Sequence, residues 1–119
     1  MNTKISGAMG EAYVAEHFRK KRYKILAMNY HSHMGEIDLI VAKRKKLSFV
    51  EVKMRKSGGV TRPADAVSRA KQSRLRATAD IWLAQNPDFA GYVMDFTVAE
   101  LYMNENGMIE KMELMEEAF

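Results

Sequence analysis

The stretch "GEIDLIVAKRKKLSFVEVKMR", residues 35–55, decides the fold because two apolar runs flank a short basic segment. The runs "EIDLIVA" and "LSFVEVKM" are rich in β-branched residues, and their side chains alternate in a way that is typical of β-strands. The basic segment "KRKK" is short enough to be a tight turn. The stretch therefore predicts a β-hairpin.

Charged residues lie inside both predicted strands. A turn centred on Arg44-Lys45 places Asp38 opposite Glu51, and Glu36 opposite Lys53. The second pair is an ordinary opposite-charge pair, whereas two like charges directly opposite each other destabilise a sheet. Two carboxylates about 5 Å apart in a partly desolvated place must share a proton or a cation. We therefore expect Mg²⁺ or Mn²⁺ there, because hard divalent ions take carboxylate oxygens; the alternative is a hairpin with one solvated face.

Lys53 lies two residues beyond Glu51 and on the same face of the predicted strand. Its ammonium is placed to orient an attacking water or a scissile phosphate. A bound metal ion polarises a phosphoryl oxygen and lowers the pKa of water. The layout therefore predicts metal-assisted hydrolysis of a phosphodiester.

The rest of the chain predicts an α/β fold in the order α-β-β-β-α-β-β, with a central mixed sheet flanked by helices. The first helix starts near Ser6, a favourable N-cap residue. Pro63 fits the first turn of a second helix that runs to about Gln85 and ends at Asn86-Pro87. The Asn-Gly of "NENG" predicts a turn between the last two strands. We expect a single domain over residues 1–119.

Each predicted helix directs one charged residue toward the sheet. Lys71 lies in the middle of an apolar stripe that runs from Val67 to Trp82. Glu11 lies among small and apolar residues of the first helix, although a competing apolar face runs through Met9. Taken singly, each inward position has an ordinary explanation: the Lys71 side chain snorkels its ammonium to water, and Glu11 pairs with a basic neighbour. Together with the charges of the hairpin they predict one site.

Charge and composition narrow the classes of function. Residues 1–76 hold 18 of the 19 Lys and Arg and six of the 15 Asp and Glu, a net charge of +12, whereas residues 77–119 carry −8. This asymmetry predicts nucleic acid, DNA in particular, as the partner, the alternative being an ordinary solvated basic surface. The chain has no cysteine, no apolar run of about 18 residues and no apolar secretion signal. We therefore expect a cytoplasmic protein without a membrane partner.

Several motifs together resemble a known family. "GAMGE", "GEIDLIVA", "FVEVKMR", "DAVSRAKQSRL" and the terminal "AF" resemble the YraN-like family of uncharacterised bacterial proteins over most of the chain. That family is assigned to the restriction-endonuclease-like fold. The chain is also similar to archaeal Holliday-junction resolvases and other nucleases with the PD-(D/E)xK signature. The Arg-Phe-Asp stretch usual before the fourth strand is here "VMDFTV", in which only Asp95 keeps the family residue.

The resemblance implies a role for each matching residue. Asp38 matches the first metal carboxylate, Glu51 and Lys53 match the E-x-K, and Glu11 matches a helix glutamate that joins the metal shell. Lys71 falls where related nucleases place a side chain near the substrate phosphate. Further substrate-binding candidates are Arg55, Lys56, Arg62 and Arg74, and accessory candidates are Glu36 and Gln72.

Three functions follow from these residues. The first is a metal-dependent phosphodiesterase of the endonuclease type that acts on DNA, including branched or structured DNA. The second is a nucleic-acid-binding module that has the nuclease fold but does not cut. The third is a protein-interaction domain that docks an acidic partner. A pure binder gains affinity by losing carboxylates near phosphate, so the intact acidic and lysine positions favour the first. A symmetric cut across a junction would require a homodimer, for which the sequence identifies no interface.

Overall fold

Helices and strands follow one another in the predicted order over residues 3–56 and 67–119, the part of the chain that the computed structural model describes. They are helix α1 (Thr3–Lys20), strands β1 (Lys24–Ser32), β2 (Gly35–Lys43) and β3 (Lys46–Lys56), helix α2 (Arg69–Gln85), a 3₁₀ turn (Pro87–Phe89), and strands β4 (Val93–Met103) and β5 (Ile109–Met115). The predicted α/β fold, a mixed sheet flanked by helices, is confirmed. The first helix begins at Thr3 rather than near Ser6, since the residues between them include no Gly or Pro to stop it.

The second helix begins later than predicted and ends as predicted. Its N-cap is Ser68, whose side chain accepts the backbone N–H of Lys71 at 3.2 Å. Pro63, the predicted first-turn residue, lies outside the described residues. Neither α1 nor α2 is long and apolar enough to cross a membrane, within the residues that the structure describes.

The strands form one sheet in the order β1-β2-β3-β4-β5. Strands β3 and β4 are parallel and are connected through α2, whereas the other neighbours are antiparallel. The β2–β3 hairpin turns at Arg44-Lys45, whose φ angles of 50° and 66° suit a two-residue turn. The predicted turn is confirmed, and the predicted register holds as far as the pair of Leu39 and Val50.

The two helices cover opposite faces of the sheet, because successive residues of a strand point to opposite sides. Helix α1 packs against Leu39 and Val41 of β2, and α2 packs against Ile40 and Ala42. The helix side chains buried in these two clusters are Val14, Ala15 and Phe18 of α1 and Leu75, Ala79 and Trp82 of α2. The apolar stripe predicted for α2 is therefore the buried one.

Gly35 allows α2 to approach the start of β2. Its φ angle of 152° is one that L side chains rarely adopt. A Cβ atom at this position would stand 3.2 Å from Oγ1 of Thr78 and 3.5 Å from Cβ of Arg74. The glycine that opens the "GEIDLI" motif thus has a backbone role, which is to let α2 lie close to the start of β2.

A buried polar cluster lies at the other end of the sheet, where β3 and β4 begin. Ser48 faces Asp95 in the parallel register, and its hydroxyl donates to Oδ1 of Asp95 at 2.5 Å. Thr97 adds a hydroxyl 3.3 Å from the same oxygen, and Nζ of Lys46 lies 3.7 Å from Oδ2. Asp95 on β4 is therefore held by side chains of the sheet itself, and its register partner Ser48 lies three residues, about 10 Å, before Glu51 on β3.

Asp95→Ala is expected to destabilise the fold by about 1–3 kcal/mol, because it removes the carboxylate acceptor of the buried Ser48 and Thr97 hydroxyls, which then keep only their contact with each other. Urea unfolding followed by circular dichroism measures this change, with Asp88→Ala, an exposed aspartate, as the matched control. Equal unfolding midpoints for the two variants would show that the cluster does not stabilise the sheet.

Candidate active site

Strands β2 and β3 separate beyond the pair of Leu39 and Val50. From there to Gly35, β2 pairs only with β1, and β3 pairs with β4 as far as Lys56. The separating ends form a fork, defined here as residues 36–38 of β2 and 51–53 of β3. The fork contains all four charged residues that the sequence places inside the predicted strands.

Asp38 lies in the gap of the fork. Its Oδ2 accepts the backbone N–H of Val52 at 2.8 Å, a donor that a neighbouring strand would otherwise have to satisfy. Strict alternation along β2 would place Ile37 on the same face as Leu39. Ile37 packs instead in the cluster beneath α2, so the alternation of β2 is interrupted here. The predicted ladder pair of Asp38 and Glu51 is not formed between backbones, but the two carboxylates are still neighbours.

The neighbouring carboxylates perturb each other electrostatically. Burial raises the pKa of the Asp38 carboxyl to about 7, and the negative charge of Glu51 adds to the rise. The Val52 N–H opposes this rise in pKa, and Glu11 and Glu36 add smaller contributions to it. Glu51 itself is buried. The fork therefore holds two acidic groups that need a compensating cation when both are ionised.

Lys71 supplies one such cation from α2, as its inward position predicts. Its Nζ lies 2.5 Å from Oε1 of Glu51. Burial disfavours the charged form of Lys71, but the hydrogen bond to Glu51 and the Glu51 charge, with smaller contributions from Lys53 and Asp38, together outweigh it and raise the pKa of Lys71. Lys53 is half-buried, and burial together with the neighbouring Lys71 charge lowers its pKa. One lysine is thus tied to a carboxylate, while the other loses its proton more readily than an ordinary lysine.

Glu11 approaches the fork from α1, on the other face of the sheet. Its charge contributes to the raised pKa of Asp38, and it is half-buried next to the buried Gly10. The competing apolar face of this helix is not the buried one, since Met9 is 55% exposed. Residues from both helices and both strands therefore meet at the fork.

The donor atoms of the fork suit a hard divalent cation. Mg²⁺ is commonly bound by one or two carboxylates and completes its shell with water and substrate oxygens. Within the described residues, no three His, Asp or Glu side chains are already arranged to hold a metal ion, and Glu51 is engaged by Lys71. The residues therefore fit a hard divalent cation held by Asp38 and Glu51, and the predicted third carboxylate, Glu11, is near enough to act on Asp38 electrostatically.

Two of the other candidates have side-chain partners on neighbouring strands. Glu36 is exposed and lies 3.2 Å from Nδ1 of His31 on β1. It does not face Lys53 as predicted, because the β2–β3 ladder ends before it. Nε of Arg55 lies 2.5 Å from Oε2 of Glu100 on β4.

The remaining candidates lie around the start of α2 and the end of β3. Gln72 donates through Nε2 to the backbone oxygen of Val67 at 3.2 Å. Arg74 and Lys56 are exposed. Arg62 falls outside the described residues.

Glu100 is a neighbour of the fork that the sequence analysis did not single out. It is 3% exposed and lies opposite Lys53 in the parallel register of β3 and β4. An acidic residue inside the apolar run "TVAEL" is the same kind of pattern that singled out Asp38. That pattern could have found it.

The most basic turn of the chain lies away from the fork. Lys43–Lys46 connects the hairpin strands at the far end of the sheet, and Nζ of Lys43 donates to the backbone oxygen of Lys21 at 2.6 Å. At about 3.3 Å per residue, Lys46 is about 23 Å along β3 from Lys53. The "KRKK" turn is therefore not part of the candidate active site.

A mixed five-stranded sheet between two helices, with acidic and lysine side chains at the fork, defines a domain of the restriction-endonuclease-like class. The chain belongs to the Uncharacterised protein family UPF0102, whose model matches residues 10–106. The family membership expected from the motifs is confirmed.

Several members of this family are similar to the chain over most of its length. A UPF0102 protein of Caldanaerobacter subterraneus is 37% identical over 120 residues, which cover 100% of this chain and 98% of the relative. One from Dictyoglomus thermophilum is 32% identical and is covered completely, as is this chain. One from Agrobacterium fabrum is 39% identical over 92 residues, 77% of this chain and 74% of the relative.

Asp38→Asn is expected to stabilise the metal-free protein at pH 8. Because the folded-state pKa of Asp38 is raised, its contribution to stability is lost as the pH rises from about 4 through about 7. Asparagine keeps an acceptor for the Val52 N–H and has no charge to bury. The gain in unfolding free energy should be on the order of 1–3 kcal/mol at pH 8 and should disappear near pH 4.

Urea titrations in chelator between pH 4 and pH 8 measure this difference, with Asp88→Asn as the exposed control. A variant that is less stable than the parent at pH 8 would contradict the assignment of a costly charge to Asp38.

Proposed function

We propose that this protein is a metal-dependent phosphodiesterase of the endonuclease type that acts on DNA. The observation that carries the proposal is the fork, where Asp38 and Glu51 lie beside Lys53 and Lys71. Neighbouring carboxylates and lysines of this kind suit the binding of a divalent cation together with a phosphate group. The resemblance to Holliday-junction resolvases supports branched or structured DNA as the substrate.

Each side chain of the fork has a separate task in this reaction. When bound at Asp38 and Glu51, Mg²⁺ or Mn²⁺ supplies positive charge that polarises a phosphoryl oxygen and lowers the pKa of water. Lys53 orients the attacking water and stabilises charge on the phosphorane. The water oxygen bonds to phosphorus and its proton passes to solvent, while one ester P–O bond breaks and the departing alkoxide takes up a proton from water. Lys71, once released from Glu51, donates to a phosphate oxygen.

A second candidate function is nucleic-acid binding without cleavage. The observation that favours it is the ion pair of Lys71 and Glu51, which compensates Glu51 without a metal ion. In that role Lys53 and Lys71 contact backbone phosphates, and Asp38 serves only to satisfy the Val52 N–H. Binding that persists in chelator, without cutting under any condition, distinguishes this function from the first.

Asp38→Asn and Lys53→Ala are each expected to reduce Mg²⁺- or Mn²⁺-dependent cleavage at least about 100-fold, because one removes a metal carboxylate and the other a group that acts on the water. The assay uses duplex, flap, four-way junction, single-stranded DNA and RNA. Asp88→Asn and Lys111→Ala make the same chemical changes at exposed positions and should cut like the parent.

The outcomes of that assay separate the functions. Equal cleavage by parent and both fork variants, or no metal-dependent cleavage of any substrate, would overturn the catalytic proposal. If the parent binds no nucleic acid but binds an acidic protein, the chain is an interaction domain.

Lys71→Met is expected to raise the affinity for Mn²⁺ by about threefold to tenfold, because the ion no longer displaces an ammonium from Glu51. The same variant should bind nucleic acid more weakly. Isothermal titration calorimetry of Mn²⁺ into metal-free protein measures the first effect without any cleavage. The matched control is Lys111→Met, which removes an exposed lysine paired with Glu113. An unchanged or lower affinity for Mn²⁺ would mean that Lys71 and the ion do not compete.

A further inference from the structure

Glu100 is a buried acidic residue whose ion-pair partner lies close to the candidate active site. It is 3% exposed, and its Oε2 lies 2.5 Å from Nε of Arg55 and 3.5 Å from the hydroxyl oxygen of Tyr102. Arg55 lies two residues beyond Lys53 on β3, so both side chains point to the same face of the sheet. Glu100 therefore fixes the position of a cation next to the fork.

The geometry of this ion pair leaves part of the guanidinium available. Arginine carries N–H groups on Nε and on both terminal nitrogens, and the contact with Glu100 is made through Nε. A guanidinium that only neutralised Glu100 would gain most from a two-pronged contact with the carboxylate. The terminal nitrogens are not used in this contact, so their N–H groups can serve a second anion.

The surroundings of Arg55 have room for that anion. Arg55 and Lys56 line a cavity of about 670 Å³ together with Met54 and the β4–β5 turn, residues 103–107. Along the strand, Arg55 is about 6.6 Å from Lys53. One strand of a nucleic-acid duplex rises about 3.4 Å per nucleotide, so this spacing reaches the next one or two phosphates.

We propose that Arg55, held through Nε by the buried Glu100, forms a binding subsite for a nucleic-acid phosphate that flanks the scissile phosphate. Glu100 is a positioning residue, and Arg55 makes the contact through its terminal nitrogens. Lys56, exposed at the rim of the same cavity, adds positive charge. This inference rests on the proposed function, since it assumes that the fork binds nucleic acid.

Glu100→Gln tests the inference because the two possible roles of Glu100 predict opposite changes in nucleic-acid affinity. If Glu100 acted only through its negative charge, removing that charge would tighten binding to a polyanion. If it positions Arg55, the same change weakens binding by about fivefold to tenfold, because a charge-assisted hydrogen bond holds the guanidinium. The matched control is Glu113→Gln, an exposed glutamate that pairs with Glu100 in the register of β4 and β5.

Binding of a fluorescent four-way junction and duplex is measured in chelator, over a range of salt concentrations, so that no cleavage contributes. We expect Glu113→Gln to bind like the parent and Glu100→Gln to bind more weakly. Arg55→Ala should also bind more weakly and lose about one unit of salt slope. The double variant of Arg55→Ala and Glu100→Gln should bind no more weakly than Arg55→Ala alone. With metal ion added, Glu100→Gln should raise KM and leave kcat within about threefold, as expected when a binding contact is lost.

Two results would overturn the inference while leaving the proposed function intact: tighter or unchanged binding by Glu100→Gln, and loss of affinity that adds to that of Arg55→Ala. A parent that neither binds nor cuts nucleic acid overturns both. If Glu100→Gln does not fold, as judged by circular dichroism, Glu100→Asp replaces it. That change keeps the charge but shortens the side chain, and it should also weaken binding.

Discussion

The structure of the candidate site depends on where the pairing of β2 and β3 ends. Beyond Leu39 and Val50 the backbones of the two strands no longer hydrogen-bond to each other. The Val52 N–H therefore needs another acceptor, and the Asp38 carboxylate supplies it. The same separation makes room for Glu51 to meet a side chain from α2. The fork is thus a break in the sheet that acidic groups and a lysine occupy, in place of backbone hydrogen bonds.

Asp95 and Asp38 are two acidic residues of this sheet that differ in the groups around them. Asp95 receives hydroxyl donors from Ser48 and Thr97 at Oδ1, whereas its buried Oδ2 has no hydrogen-bond partner among the described residues and lies 3.7 Å from Nζ of Lys46. Asp38 has one backbone donor, and burial and Glu51 raise its pKa. Acidic groups whose pKa is shifted by burial and a neighbouring charge cluster at functional sites. The meeting of Asp38 and Glu51 with Lys53 and Lys71 supports the fork as the place where a ligand acts.

Much of this arrangement could be predicted from the sequence. The hairpin turn and its register follow from the β-rich runs on either side of Arg44-Lys45, and the inward position of Lys71 follows from helical periodicity. Local patterns of this kind carry information about which residues share a face of one element. They were sufficient to bring Asp38, Glu51 and Lys71 together.

The rest depended on contacts between elements that no local pattern encodes. Strict alternation predicted that Glu36 lies opposite Lys53 and that Ile37 shares a face with Leu39. Both predictions were wrong, because the β2–β3 ladder ends at the pair of Leu39 and Val50. The run "TVAEL" could have singled out Glu100 as an acidic residue in a strand, but its place beside the fork follows from the parallel pairing of β3 and β4. Helix α2 begins later than predicted because Ser68 is its N-cap. Several residues of the sequence could have served as the N-cap, and no local pattern distinguishes them.

Paramagnetic broadening in an amide NMR spectrum tests the central claim most directly, because it locates the ion without any assumption about the substrate. Added at sub-stoichiometric amounts, Mn²⁺ should broaden the amide resonances of Val52 and Lys53 first. The effect should disappear in Asp38→Asn. Broadening centred on Asp95 or on the acidic residues of β5, or no selective broadening at all, would contradict a divalent cation site at the fork.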